Sequence, residues 1–559
     1  MGCFLFVSMV SGAMAAVPVT RGSMAELGVL TPFYRSTQLQ GHIEGRRFLM
    51  AIPAFLSSPE VDVGYRYKSE FKSEIPFVDS FTINRFVGGY RKDWLEQYGY
   101  CVHIECPKGY DYAYRSTDGT LSFRLNLVEW HLKSYLDAGY KLSDITINIE
   151  NVPWDIASGG GALGAWGQRN PPLSLVEWRD TVVHLAQDIS KISPQVAPQG
   201  FKIGNEYDEK ASFSGSKEDY YLFYKVSYEA LRQIFPSAAI SPGEFTGHGI
   251  CTEQNTLCVY DTKDLLRYAR INHSLPDYVP RSLYSSLAQS NPTPSNAVRR
   301  AVESYNRLGQ VIAEIHQFGL LGEPFTKNLA FGSDQGARQA AWEFQTMFGL
   351  LEELHPRRIF HWNTFVRVGG TDIALLNGTG FVRLFMDRYL GSAIYRVPTL
   401  SKQRPLVEVK AIAFRSAERV AVIVSSFTPG ISDEPVDVSI QLPQQFLGHL
   451  SGNGWRVIRY SDKDNVFSEV RHDLANIGNL KPEFEECRTC ASQPMAMARN
   501  REQARTMLRA NWTKYQSIMK AGLRWRIPQD IVATATDEEL TLQVRLDANE
   551  VVVIEQGMK

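Results

Sequence analysis

The sequence predicts an α/β protein, a (β/α)8 TIM barrel followed by an all-β sandwich domain. Three observations carry that expectation. Between residues 80 and 395, short apolar runs alternate eight times with segments of helical period. After Tyr395 the period drops to two, in VEVKAIAFR, RVAVIVSSF and VDVSIQL. At 559 residues, the chain is also longer than one hydrophobic core ordinarily serves.

The barrel strands are expected at Thr82–Phe86, Tyr100–Ile104, Ile145–Ile149, Phe201–Gly204, Ala238–Ser241, Tyr278–Leu283, Val311–Ala313 and Arg358–Phe360. Helices are expected between and after them, near 92–98, 125–137, 175–189, 220–234, 264–271, 297–308, 335–354 and 381–390. An open doubly wound sheet has a similar rhythm but rarely reaches eight regular units. Residues 396–559 read as the sandwich, with a polar, partly helical insertion at 461–527, because neither flank alone has strands enough to bury a core. The segment 17–79 can contribute strands to the same sandwich.

Residues 1–16 read as a signal peptide, an apolar run ending in Ala13-Met14-Ala15. The cysteines after Cys3 fall into local couples: Cys101 with Cys106, Cys251 with Cys258, and Cys487 with Cys490. Such couples predict three disulfides in an oxidising compartment. A zinc site is the rival reading, although only Cys487-x-x-Cys490 has ligand spacing. The chain is therefore expected to be secreted or periplasmic. A net charge of -1 supplies no field for nucleic acid or an anionic membrane. No further segment reads as membrane-inserted, and no cofactor or metal is expected.

Barrel active sites lie at the C-terminal ends of the strands. Strand four ends in Asn205-Glu206, within FKIGNEYDEK, and strand seven reads as ending at Glu314, within QVIAEIHQF. Two carboxyls facing one cleft suit glycosidic cleavage, one protonating the leaving oxygen while the other attacks the anomeric carbon. A single rim Glu is equally well explained by a salt bridge, so the joint placement carries the reading. The Asn205 amide can bind a sugar 2-hydroxyl, or simply stabilise a turn. Trp154, directly after strand three, is the candidate stacking residue, whereas Trp130 and Trp166 are more readily core. Glu150 and Glu244, at the ends of strands three and five, are secondary carboxyls able to bind hydroxyls or replace one of the pair. The glycines at 159–161 lack the Gly-Lys-Ser/Thr of a phosphate loop.

The Asn-Glu after strand four and the Glu of strand seven resemble clan A glycoside hydrolases. Their surroundings are most similar to family 39, the family of β-xylosidases, α-iduronidases and some exopolysaccharide endoglycosidases. The resemblance covers roughly residues 80–395 and the trailing sandwich. It implies a retaining mechanism with Glu206 as acid/base and Glu314 as nucleophile, acting on a polysaccharide or oligosaccharide. It also implies that Arg85 steadies the nucleophile, that Tyr284 hydrogen-bonds it, and that Trp362 stacks on sugar. The family's Trp-Asn-Glu-Pro is Gly204-Asn205-Glu206-Tyr207 here, and its Thr-Glu-Trp is Ala313-Glu314-Ile315. The His that precedes the strand-six Tyr by two is Ser282. Two other readings compete: a non-catalytic polysaccharide-binding protein on the same barrel, and a retaining transglycosylase.

Overall fold

A computed structural model describes residues 24–40, 79–89, 111–321, 336–362, 378–475 and 506–557, with short gaps inside these ranges. Strand β1 (Ala25–Val29) precedes eight strands of one parallel sheet. These are β2 (Ser36–Gln40), β3 (Ser80–Asn84), β4 (Ile145–Ile149), β5 (Gly200–Ile203), β6 (Ala239–Pro242), β7 (Val279–Ser286), β8 (Ala313–Leu321) and β9 (Ile359–Trp362). The spatial order is β6-β5-β4-β3-β2-β9-β8-β7, with every neighbouring pair parallel. Beyond β6, a parallel bridge from Phe245 to Arg281 links the two end strands of that order.

Among the described residues a helix follows each strand from β3 to β9, as parallel connections require. The helices are α1 (Leu125–Asp137), α2 (Leu175–Ile192), α3 (Lys217–Ile234), α4 (Thr262–Ile271), α5 (Pro294–Leu308), α6 (Ala337–Glu353) and α7 (Gly378–Arg388). Local chemistry sets their ends. Ser174 caps α2 by accepting from the Glu177 N–H, and Ser216 and Asp219 form a capping box on α3. Trp178, Val182, Leu185 and Ile189 of α2 are buried at three- and four-residue spacing, the stripe expected of a helix laid on a sheet. Strand β4, ITINI, is buried at all five positions: its three isoleucines share one face, and Thr146 and Asn148 take the other, so neither face meets solvent.

Two sequence expectations differ from this sheet. Its first strand is Ser36–Gln40, and β3 pairs directly with β4, Phe81 opposite Ile145. The strand STQLQ has a single apolar residue, so hydrophobic patterning passes over it. The expected strand Tyr100–Ile104 and the helix near 92–98 lie outside the described residues. The second difference is in strand seven, which runs from Ala313 to Leu321 rather than ending at Ala313. A polar pair, His316-Gln317, interrupts the apolar run, and the register shifts between Ile315 and Phe318.

Two larger antiparallel sheets pack together beside the parallel one. The larger contains β1, β10 (Ala393–Val397), β12 (Glu408–Arg415), β13 (Arg419–Phe427), β15 (Trp455–Tyr460) and β18 (Glu550–Gly557). The smaller contains β11 (Thr399–Ser401), β14 (Val436–Pro443), β16 (Ile531–Ala535) and β17 (Glu539–Leu546). Val438, Ile440 and Leu442 of β14 share one core with Val420, Val422 and Val424 of β13 and with Leu542 and Val544 of β17. The C-terminal strand β18 lies between β13 and β15, so residues on both sides of 461–527 build one sheet. That intervening segment carries α8 (Val466–Ala475) and α9 (Trp512–Gly522). The N-terminal segment supplies β1 to the larger sheet, against β10, and β2 to the parallel one.

Glu555 of β18 receives Arg388, Tyr389 and Arg456, tying the sandwich sheet to α7. Cys251 and Cys258 form a disulfide. Cys101, Cys106, Cys487, Cys490 and residues 1–16 lie outside the described residues. No helix among the described residues is long and apolar enough to cross a membrane.

Candidate active site

The chain turns sharply where β5 ends. Gly204 has a φ of 98° and Glu206 a φ of 54°, the latter a conformation that costs a residue with a Cβ and that concentrates at functional sites. A Cβ on Gly204 would lie 2.8 Å from the Tyr207 ring, and one on Gly243 would lie 2.7 Å from the Gly204 carbonyl carbon. Glycine at both positions lets the ends of β5 and β6 come together. Tyr207 locks the turn by stacking on Phe213 and accepting a hydrogen bond from the Asn151 N–H at 2.7 Å.

This convergence sets two glutamates in opposite electrostatic states. Burial, and then the negative charge of Glu244, push the Glu206 carboxyl up to about 8. The Ser282 hydroxyl, 2.6 Å from Glu206 Oε1, pulls the other way without reversing the shift. Burial is the largest influence on Glu244 and opposes its ionisation, but the charge of Lys202, the His316 ring and the hydrogen bonds to the carboxylate together outweigh it and hold that carboxyl below its ordinary value. Lys202 Nζ stands 2.5 Å from Glu244, with neither side chain exposed. Near neutral pH one carboxyl thus keeps its proton while its neighbour is an anion, the division that acid catalysis requires. The largest charge acting on Glu206 is that of Glu244, followed by Asp208 and Glu209.

Strand β8 contributes Gln317, at a φ of 48°. Its amide nitrogen donates to Glu244 Oε1 at 2.7 Å and to Asn205 Oδ1 at 3.1 Å. The Tyr284 hydroxyl donates to its Oε1 at 2.9 Å. Tyr284 was expected to touch the strand-seven nucleophile, and in the structure it touches Gln317.

Glu314 is the second residue of β8, and its surroundings belong to the other end of the sheet. His316 Nε2 lies 2.7 Å from its Oε1, and Arg357, which precedes β9, lies 3.7 Å from its Oε2. Tyr278, just before β7, and Arg358, just before β9, also feel its charge. The expected end-of-strand placement of Glu314 is therefore corrected. The apolar run Val311–Ala313 leads into the strand, and the polar residues that follow belong to its interior.

Of the other expected site residues, Asn205 is near Glu206 and accepts from Gln317 and, at 3.4 Å, from Lys202. Glu150 follows β4 and is 2% exposed. Trp154 begins the short helical turn Trp154–Ile156, its N–H donating to Asp111 at 2.7 Å. Trp362 closes β9, opposite Gln38. Arg85 lies outside the described residues. Gln317 and Lys202 were absent from the sequence candidates. Lys202 carried a signal nonetheless: a lysine inside FKI, an otherwise apolar strand, must find a buried anion.

No protein-family model matches this chain. It is 21% identical over 249 residues to an alpha-1,4-L-rhamnosidase of Formosa agariphila, a match covering 41% of this chain. That match spans about half the relative's length, 47%. Solved structures align over far more. A monomeric beta-xylosidase from Caulobacter crescentus covers 95% of this chain and 97% of its own, at 13% identity and a TM-score of 0.59. A glycoside hydrolase family 39 enzyme from Xanthomonas axonopodis pv. citri covers 95% of each, at 10% identity and the same TM-score of 0.59. The chain thus resembles clan A glycoside hydrolases and shares the fold of family 39 enzymes among them.

Proposed function

We propose that this chain is a retaining glycoside hydrolase on a closed (β/α)8 barrel, cleaving an oligosaccharide or polysaccharide with Glu206 as proton donor. The observation that carries the reading is the split between Glu206, held protonated, and Glu244, held ionised, at the C-terminal ends of adjacent strands. A neutral carboxyl can protonate the departing glycosidic oxygen, and a nearby anion stabilises the positive charge developing at the anomeric carbon. The parallel bridge from Phe245 to Arg281 supports closure of the sheet. The disulfide supports a site of action outside the cytoplasm.

Reducing-end release from a panel of bacterial and plant polysaccharides tests the reading, comparing wild type with Glu206→Gln. Cleavage of at least one glycan by wild type, lost in the variant, is the expected result. Equal release by both proteins would remove Glu206 as the acid.

One observation favours a second reading, a non-catalytic polysaccharide-binding barrel: the residue against Tyr284 is an amide, which is not a nucleophile. In that case no panel member releases reducing ends, while isothermal titration still detects glycan binding by both proteins.

A further inference from the structure

Glu206 holds a positive φ, which a residue with a Cβ keeps only where its surroundings impose it. Its carbonyl accepts from the Glu209 N–H at 3.0 Å, and the loop that follows β6 braces the turn so formed. The Lys210 N–H donates to the Leu257 carbonyl and the Val259 N–H to the Asp208 carbonyl, with Glu209 opposite Cys258 in an antiparallel bridge. The Thr246 N–H donates to Asp208, and its hydroxyl lies 3.0 Å from Asp208 and 2.6 Å from Glu209. Tyr260 stacks on Tyr220 at 4.4 Å. The Tyr220 hydroxyl donates to the Ile203 carbonyl and accepts from the Gly243 N–H, holding the ends of β5 and β6 together. One covalent bond closes this loop on itself, joining Cys258 to Cys251 beyond Thr246.

On the hydrolase reading above, we propose that the Cys251–Cys258 disulfide positions the proton donor: it holds residues 257–260 against residues 208–210, fixes where the Glu206 carboxyl sits, and is needed for catalysis as well as for stability. The bond removes the loop conformations in which the two cysteines stand apart. Without it the pairing with residues 208–210 loosens, Glu206 leaves its positive φ, and water reaches its carboxyl. The groups acting on that carboxyl are Glu244 after β6, Ser282 of β7, and Asp208 and Glu209 of its own turn. Of these, Asp208 and Glu209 lie on the braced segment. Burial is the largest cause of the raised Glu206 pKa, and the charges of Asp208 and Glu209 add to it. Hydration and retreat of those two carboxyls both move it down, so the acid gives up its proton at lower pH.

The test compares the full chain with Cys251→Ser/Cys258→Ser on a glycan that wild type cleaves, at a temperature where melting curves show both folded. Substitution isolates this pair from the other cysteines of the chain. The expected result is a kcat/KM that falls more near pH 8 than near pH 5, with the alkaline limb displaced to lower pH. A variant that melts lower yet keeps the wild-type kcat/KM and pH profile would make the disulfide structural only and overturn the proposal. Should the variant not fold, wild type is treated with dithiothreitol, which passes two electrons and two protons to the pair and closes to its own cyclic disulfide. Peptide mapping then follows thiols at Cys251 and Cys258. Activity lost in step with those thiols supports the proposal, and full activity with the pair reduced overturns it. An isotope-edited NMR titration of the Glu206 carboxyl, identified by its absence in Glu206→Gln, makes the comparison without turnover. A lower midpoint once the pair is broken supports the proposal and an unchanged one overturns it, even if no glycan is cleaved and the hydrolase reading falls.

Discussion

The two ends of the parallel sheet each hold a glutamate, and the contrast between them is instructive. At the N-terminal end, Glu314 lies against His316 and Arg357 and is 1% exposed. At the C-terminal end, Glu206 faces the Glu244 anion, which Lys202 neutralises. Glu314 sits inside a strand and Glu206 just past the end of one, and in both cases the residues around them set their electrostatics. The Glu314 carboxyl has a guanidinium and a buried imidazole beside it. A carboxyl beside an anion retains a proton that it can give away. The cost of that second arrangement is visible in the backbone, where Glu206 and Gln317 both adopt positive φ.

The sharpest way to break this comparison is to neutralise each glutamate in turn. Glu206→Gln should lower kcat/KM on the natural glycan by about 10²–10⁴-fold, the ordinary contribution of a positioned acid. Glu314→Gln should leave kcat/KM unchanged and lower the melting temperature. Equal losses of activity in the two variants would erase the distinction between the ends. In wild type, activity should decline as pH rises through about 8, where Glu206 gives up its proton.

Lys202→Met probes the compensation. Removing one partner of a buried pair strands the other charge, at a cost of about 3–5 kcal/mol. Urea titration at pH 7 should record a loss of that size, largely recovered in Lys202→Met/Glu244→Leu. A single variant as stable as wild type would show that Lys202 carries no such burden.

The raised pKa of Glu206 also makes a statement about stability. A carboxyl whose folded pKa lies above its unfolded value favours the fold most below the unfolded pKa, near 4.5, and that contribution is lost as pH rises through about 8. Glu206→Gln removes the dependence. Its melting temperature should therefore gain on wild type progressively between pH 4.5 and 8, and a constant difference across that range would contradict the assigned shift. The smallest effect belongs to Ser282→Ala. Its hydroxyl lowers the Glu206 pKa, so removing it should move the alkaline limb of the kcat/KM profile to higher pH. A shift to lower pH would reverse the role assigned to Ser282.

Much of the architecture was legible in the chain, because periodicity reports burial directly. Helix α1 coincides with its expected span, and β4, β5, β6 and β7 fall within a few residues of theirs. The strands of the two antiparallel sheets declared themselves by alternation, as in VDVSIQL. What patterning missed were elements whose residues are polar. STQLQ forms a strand of the parallel sheet because β3 and β9 flank it on either side, and nothing local demands it. The polar His316-Gln317 reads as a strand end when only apolar runs are counted.

The candidate site divides along the same line. Asn205 and Glu206 were found because a polar pair follows a short apolar strand. Side-chain identity and local period are properties of the sequence alone, and they determined the strand–helix rhythm, the sandwich strands and the candidate proton donor. Which carboxyl faces that donor was decided only by tertiary structure. It depends on the register of strands distant in sequence, on two glycines that let β5 and β6 close together, and on a shift in β8 that turns Gln317 toward Glu244 and leaves Glu314 at the far end. Electrostatic coupling falls with distance in space, and distance in space is what a chain acquires only by folding.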